Sequence, residues 1–225
     1  DEVEAQVLDY IALFCADTQP GQLQALREHA LTWMQRLAEF RPHLGGAVWQ
    51  GWATRLSDID LALFQALNAD AATLPAVVTL ARWVSQQLPT AMGGLLLGSL
   101  VLGNAAQRRA LAVALASMAL AWVGVQLLRL AVPAPRPAQL GMGVQWIEHA
   151  ARAGFPSMHV AGAAALAASL ALRPVTGLTW LAAAVTAAMV WSRVCLGVHF
   201  PSDVLAGLLT GGLAAAAIHA LATRA

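Results

Sequence analysis

One short stretch of the chain holds three side chains equipped for group transfer. In S-R-V-C-L-G-V-H-F-P-S-D, Ser192 to Asp203, the residues Arg193, His199 and Asp203 interrupt a half of the protein that is otherwise apolar. Pro201 is a favourable first helical residue, so the spacing predicts a helix that begins there and carries Asp203 in its first turn. A carboxylate in that turn is stabilised by free backbone N–H groups, and it lies close enough to His199 to accept a hydrogen bond from one imidazole nitrogen. The other ring nitrogen is then unprotonated and able to attack an electrophile.

Two more polar islands lie upstream, R-L-A-V-P-A-P-R-P from Arg129 to Pro137 and P-S-M-H from Pro156 to His159. Ser157, placed between a proline and an apolar run, reads as the N-cap of a helix whose free N–H groups and positive end face the loop. His159 falls in the first turn of that helix. Arg129, Arg136 and Arg193 are too many cations for apolar surroundings unless an anion pairs with them, as a phosphate with two charges and three terminal oxygens does. Arg152 reads as an interfacial anchor that snorkels to headgroups. His29, His43 and His219 read as packed or solvated residues, while Glu148 and His149 sit in the motif-bearing loop within reach of a headgroup.

In order and spacing the three islands resemble the type-2 phosphatidic acid phosphatase superfamily, whose signature is K-x6-R-P, then P-S-G-H, then S-R-x5-H-x3-D. Arg129, six residues and Arg136-Pro137 match the first motif; Ser192-Arg193, five residues, His199, three residues and Asp203 match the third. Two positions depart from the pattern. Arg129 replaces the family's lysine, which keeps the charge but exchanges a point donor for a fork. Met158 replaces the glycine between Ser157 and His159, where a glycine would allow close backbone approach. The likeness covers roughly residue 88 to the C-terminus.

What the resemblance implies is an integral membrane phosphatase that hydrolyses a lipid mono- or diphosphate, such as undecaprenyl diphosphate or a phosphatidate-like lipid. It implies that His199 is the nucleophile and forms a phosphohistidine, that His159 is the general acid for the leaving oxygen, and that Asp203 supports His199. Arg129, Arg136, Ser157 and Arg193 would hold the phosphate, with no metal and no other cofactor. A lipid phosphotransferase using the same residues is the neighbouring possibility, and a non-catalytic membrane protein that binds or transports an anion is the alternative of a different class. The soluble vanadate-dependent haloperoxidases share the motif pattern, but the apolar runs argue against one here.

The elements that must position these residues are apolar. Hydrophobic residues make up 59% of the 225 residues and charged residues 11%, with no lysine at all; a soluble domain carries about 25% charged residues, so that class is disfavoured. Residues 1 to 87 contain ten carboxylates and five arginines, whereas residues 88 to 225 contain two carboxylates and eight arginines. The chain therefore divides into an N-terminal amphipathic or soluble segment, 1–87, and a transmembrane phosphatase-like domain, 88–225, whose positive balance suits anions and a bilayer. Nothing in that pattern points to nucleic acid. Two cysteines, Cys15 and Cys195, build no disulfide framework, and no zinc spacing occurs.

Apolar runs at about 88–104, 110–130, 157–172, 175–194 and 202–221 predict an all-α, polytopic bundle of about five spans. The first and third are short for a span of roughly 20 residues. Family members usually have a sixth helix before these five. Alanine, glycine and leucine dominate the runs, which permits close helix contacts in lipid. If the spans alternate, all three motifs fall on one side, and Arg108, Arg109, Arg173 and Arg224 on the other. The positive-inside tendency makes the arginine side cytoplasmic, which would place the protein in a bacterial inner membrane with its site facing the periplasm or exterior.

Within 1–44, two amphipathic helices flank the turn Thr18-Gln19-Pro20-Gly21. Alternation around Asp58 and Asp60 suggests a short strand with both carboxylates on one face. The stretch from Gly45 resembles the opening of polymerase-beta-type nucleotidyltransferases, in which a small-residue turn precedes a D-x-D pair that holds magnesium, although Trp52 stands where that family has a small or hydroxyl residue. The competing reading makes the two aspartates solvated charges at a helix start. In that case D-I-D-L-A-L-F-Q-A-L-N resembles the amphipathic segment that precedes the membrane helices in bacterial members of the phosphatase family.

Overall fold

Prolines, glycines and one capping box set the helix boundaries. The computed structural model describes residues 58–149, 152–172 and 176–224, and these form a single compact unit within 58–225. Its elements are α1 (58–67), α2 (Pro75–Gln86), α3 (Leu88–Leu102), α4 (Ala105–Ala131), a 3-10 turn (Pro137–Leu140), α5 (Met158–Leu172), α6 (Thr176–Cys195) and α7 (Pro201–Ala222). Among the described residues there is no strand.

The aspartates at 58 and 60 thus open a helix and not a strand. A lone strand would leave its backbone groups without partners, whereas a helix satisfies its own. The amphipathic helices read in residues 1–44 lie outside the described residues, as do Cys15, His29 and His43. Residues 58–87, which the charge balance groups with the N-terminal segment, pack within the same unit as the membrane helices.

Each predicted apolar run is one helix, α3 to α7. Helices α2 and α3 are nearly continuous: Gln87 keeps right-handed helical dihedrals and donates to Trp83 O at 2.8 Å, but Pro89 has no N–H to give the preceding turn. Helix α4 starts at a reciprocal cap, with Asn104 Oδ1 accepting from Gln107 N at 3.0 Å and Gln107 Oε1 from Asn104 N at 2.9 Å. Prolines 133, 135 and 137 end it and hold the next residues extended.

Three helices, α4, α6 and α7, are long and apolar enough to cross a membrane. Helices α3 and α5 have 15 residues each, a rise of about 22 Å against a hydrocarbon core of about 30 Å. For α5 the shortness has a reason, since it is enclosed by α4, α6 and α7 and need not satisfy lipid along its length. Its contact with α7 is the most extensive in the bundle. A Cβ on Gly207 would lie 2.7 Å from Ser157 O, and one on Gly211 would collide with the backbone of Ala161, so the two helices meet backbone to backbone.

The polar end of the bundle is formed by the C-termini of α4 and α6 and the N-termini of α5 and α7. Helices α1 and α2 close over it. Ala69, Val78 and Ala81 share a buried cluster with Ile147, Cys195, Leu196 and Val198. Asn68 ties three segments together, donating to Val144 O at 3.0 Å and Cys195 O at 3.1 Å while accepting from Val144 N at 2.7 Å.

Candidate active site

The loop that presents His199 is made by the way α6 stops. Val198 N donates to Arg193 O at 3.2 Å and Gly197 N to Val194 O at 3.0 Å, the paired bonds of a Schellman motif, with Gly197 at φ +71°. A Cβ there would run into Val144 O, so glycine is required twice over. The chain then reverses, and Pro201 starts α7 as the sequence predicts.

Asp203 lies in the first turn of α7, 2% exposed, and its Oδ2 does two jobs. It accepts from the Phe200 N–H at 3.0 Å and stands 3.1 Å from His199 Nδ1. A carboxylate at that distance assigns the ring proton to Nδ1 and leaves Nε2 with its lone pair. Arg136 Nη1 approaches that nitrogen at 3.2 Å. His199 itself is 1% exposed. Burial, then the charges of Arg193 and Arg136, hold its pKa well below the usual 6.5, so the imidazole is neutral at neutral pH.

The Arg136 guanidinium is 3% exposed and is set in backbone carbonyls. Nη1 donates to Val198 O at 2.8 Å, Nε to Arg152 O at 2.9 Å and Nη2 to Ala153 O at 3.5 Å. Burial and the neighbouring Arg129 lower its pKa to about 10, which leaves it charged at neutral pH. Gly154 makes room for this packing, because a Cβ there would sit 3.1 Å from Arg136 Cγ and 3.3 Å from Asp203 Oδ2.

Arg129, in the last turn of α4, donates to Pro156 O at 3.2 Å and so ties the end of α4 to the turn before α5. Arg193, in the last turn of α6 and 2% exposed, donates from Nη1 to Ser85 Oγ at 2.6 Å; its Nε and Nη2 are buried without a hydrogen-bond partner. Ser157 precedes α5 as expected of an N-cap, but its buried Oγ makes no hydrogen bond. Its backbone N–H donates to Asp203 O at 2.9 Å, which links the starts of α5 and α7. His159 is in the first turn of α5, exposed, and within electrostatic reach of Arg129, Arg136, Arg193 and His149.

All seven residues singled out in the sequence are therefore brought to one end of the bundle. Met158, the substitution in the second motif, has an ordinary negative φ and packs with Ala121, Val125, Ala161, Ala165 and Ala214, so its side chain lies against the helix core. Arg152 contributes its carbonyl to Arg136 and has an exposed side chain. Glu148 is exposed, and His149, which the sequence left without a role, stands edge-on to His199 with ring centroids 6.3 Å apart. Neither Ser85 nor Gly197 is marked by the three motifs. Gly197 had a signal in its place after a helical run; Ser85 had none.

Asp60 is also accounted for. Its Oδ1 accepts from Ser202 N at 2.7 Å and its Oδ2 from Ser202 Oγ at 2.5 Å, which makes it a cap on the N-terminus of α7. No group of three metal-binding side chains occurs among the described residues. His219 is in the last turn of α7, remote from the site in sequence and along the helix.

Buried arginines gathered around a carboxylate-oriented neutral histidine, at one end of a transmembrane helical bundle, are what a membrane phosphatase requires. The model of the PAP2 superfamily matches residues 110–225, and the chain belongs to that family. It is 36% identical over 162 residues, 69% of this chain and 79% of the other, to YbjG of Escherichia coli (strain K12), named as an undecaprenyl-diphosphatase. Two solved structures share the fold: Aquifex aeolicus LpxE, with TM-score 0.60, 23% identity and coverage of 72% of this chain and 95% of that one, and a transmembrane PAP2-type phosphatidylglycerolphosphate phosphatase from Bacillus subtilis, with TM-score 0.55, 18% identity and coverage of 86% and 94%.

Proposed function

We propose that the protein hydrolyses a lipid diphosphate of the undecaprenyl type, or a lipid monophosphate, through a phosphohistidine on His199 and without a metal. The observation that carries this reading is the pairing of His199 Nδ1 with Asp203, which leaves Nε2 as the free nucleophile beside Arg136. The name of the Escherichia coli relative supports the diphosphate as substrate.

In the first step Nε2 attacks phosphorus as the bond to the leaving oxygen breaks. A phosphoryl oxygen takes the Arg136 N–H in place of the ring nitrogen, and Arg129, Arg193 and the N-terminus of α5 balance the charge on the others. His159 gives its proton to an alkoxide leaving group. In the second step a water, deprotonated by His159, attacks phosphorus, the P–N bond breaks, and inorganic phosphate departs with Nε2 restored. Asp203 steadies the imidazolium-like ring throughout.

Arg108 and Arg109 at the start of α4 and Arg224 after α7 lie at the end opposite the motifs. That bias supports a cytoplasmic far end and a site on the periplasmic or outer face of an inner membrane. Phosphate release from a panel of lipid phosphates by detergent-solubilised protein tests the chemistry. Activity on a lipid diphosphate that persists in a chelator is expected, together with a phosphoenzyme stable in alkali and labile in acid. Activity lost in the chelator and regained with magnesium would overturn the metal-free mechanism. For orientation, Gln139→Cys and Arg109→Cys in a background lacking Cys15 and Cys195 should label selectively with an impermeant thiol reagent in intact cells, at position 139 only.

A further inference from the structure

The three guanidinium nitrogens of Arg193 are in two different situations. Nη1 donates to Ser85 Oγ at 2.6 Å, while Nε and Nη2 are buried without a partner. Nε and Nη2 carry the parallel N–H bonds of one guanidinium edge, and that edge meets two oxygens of a phosphate at once. Ser85 therefore engages the nitrogen that such a fork does not use.

Ser85 is 3% exposed and sits in the last turn of α2, outside the residues 110–225 that define the family domain. Its position is held firmly. Val78 and Ala81 of the same helix pack with Cys195, Leu196 and Val198, the residues on either side of the α6 cap, and Arg82 Nε donates to Trp146 O at 3.1 Å. Hydroxyl and guanidinium thus stand on two elements that share one buried cluster.

We propose that Ser85 is a positioning residue for the phosphatase reaction: by accepting from Nη1 it fixes the rotation of the Arg193 guanidinium so that the Nε and Nη2 edge faces the phosphoryl group. The proposal rests on the reading that Arg193 holds phosphate. It makes α2 part of the phosphate site, so that grip on the substrate depends on a helix that precedes the motif-bearing domain.

The test compares Ser85→Ala, Ser85→Thr and Arg193→Lys in the full, detergent-solubilised chain, with KM and kcat for a lipid diphosphate, inhibition by orthovanadate, and the thermal shift that vanadate produces. A hydrogen bond to a charged group is worth a factor of about ten to a hundred. Ser85→Ala should raise KM and the vanadate inhibition constant by about that factor with kcat changed less, and should lower the ligand-free thermal midpoint by a few degrees because a buried guanidinium nitrogen loses its acceptor. Ser85→Thr, which keeps the acceptor oxygen, should restore both constants. In the Arg193→Lys background Ser85→Ala should add little, because an ammonium has no fork to orient. Unchanged constants in Ser85→Ala, an equal loss in both backgrounds, or a Ser85→Thr protein of normal midpoint that behaves as Ser85→Ala would each overturn the proposal. A wild type that binds vanadate but releases no phosphate from any lipid would overturn the phosphatase reading alone, since the Ser85 comparison remains readable in the thermal shift.

Discussion

The two ends of the bundle use the same residue type in opposite ways. At the site end Arg136 and Arg193 are 3% and 2% exposed, and their nitrogens meet carbonyls, the His199 ring, a serine or nothing. At the far end Arg108 is exposed and donates to Gly103 O at 2.8 Å and Val101 O at 3.1 Å, closing the C-terminus of α3, while Arg109 and Arg224 are exposed as well. A buried guanidinium is costly to desolvate and is tolerated where an anion repays it, whereas an exposed one at a helix end costs little. Burial, more than the number of arginines, therefore distinguishes the proposed phosphate site from the far end.

The histidines give the largest test of that contrast. His199→Ala should abolish turnover for every leaving group. His159→Ala should cost about a hundred- to ten-thousand-fold for an alkoxide leaving group, and less for one that leaves readily as an anion, such as nitrophenolate or the phosphate monoester expelled from a diphosphate. Equal defects in both variants across leaving groups, measured as kcat/KM, would show that His159 is not the acid.

The arginines come next. Removal of the Arg136 cation in Arg136→Ala should lower kcat/KM by about a hundred- to a thousand-fold, whereas Arg109→Ala should stay within about twofold of wild type. Comparable losses at the two positions would erase the distinction between the ends.

A smaller effect concerns pH. The folded protein holds His199 neutral below its ordinary value of 6.5, while the unfolded chain takes up the proton as pH falls through that value. The contribution of His199 to stability is thus intact above about 6.5 and declines as pH drops below it. Between pH 7 and pH 5 the thermal midpoint of the wild type should fall relative to that of His199→Gln. His149, Asp203 and Arg136 stand against it, so the comparison with the variant, and not the wild-type curve alone, carries the result. A difference between wild type and variant of the opposite sign would show that the ring is charged in the native state.

The smallest effect is expected at Asp60. Loss of its contacts to Ser202 in Asp60→Ala should cost about 1 kcal/mol, the usual worth of a helix cap, and lower the thermal midpoint. Metal dependence should be unchanged by it. A specific loss of magnesium-linked activity would restore the nucleotidyltransferase-like reading of this segment.

Much of the site was legible because its chemistry is local. The spacing of His199, Pro201 and Asp203 sets both the helix start and the imidazole contact, since a residue before the first turn and one within it are neighbours in any helix. The five apolar runs likewise became five helices because hydrophobic stretches in lipid have few other ways to satisfy their backbone. What escaped is long-range. Ser85 reaches Arg193 across more than a hundred positions, and no periodicity marks it. At Asp58 and Asp60 the competing helix start holds and the strand does not, for the same reason: alternation describes a face, but a strand needs a partner that only the fold can provide.

Gly207 and Gly211 carry none of the chemistry, yet they set how far the enzyme can be altered. They lie one and two turns below Asp203, and any side chain there would press on the backbone of α5 at Ser157 or Ala161. In a mutagenised library, replacements at these two positions would part the helices that bring His159 and His199 to one end of the bundle, with every motif residue still in the gene. An inactive clone with intact signatures should therefore be sought first among the small residues in the middle of α7.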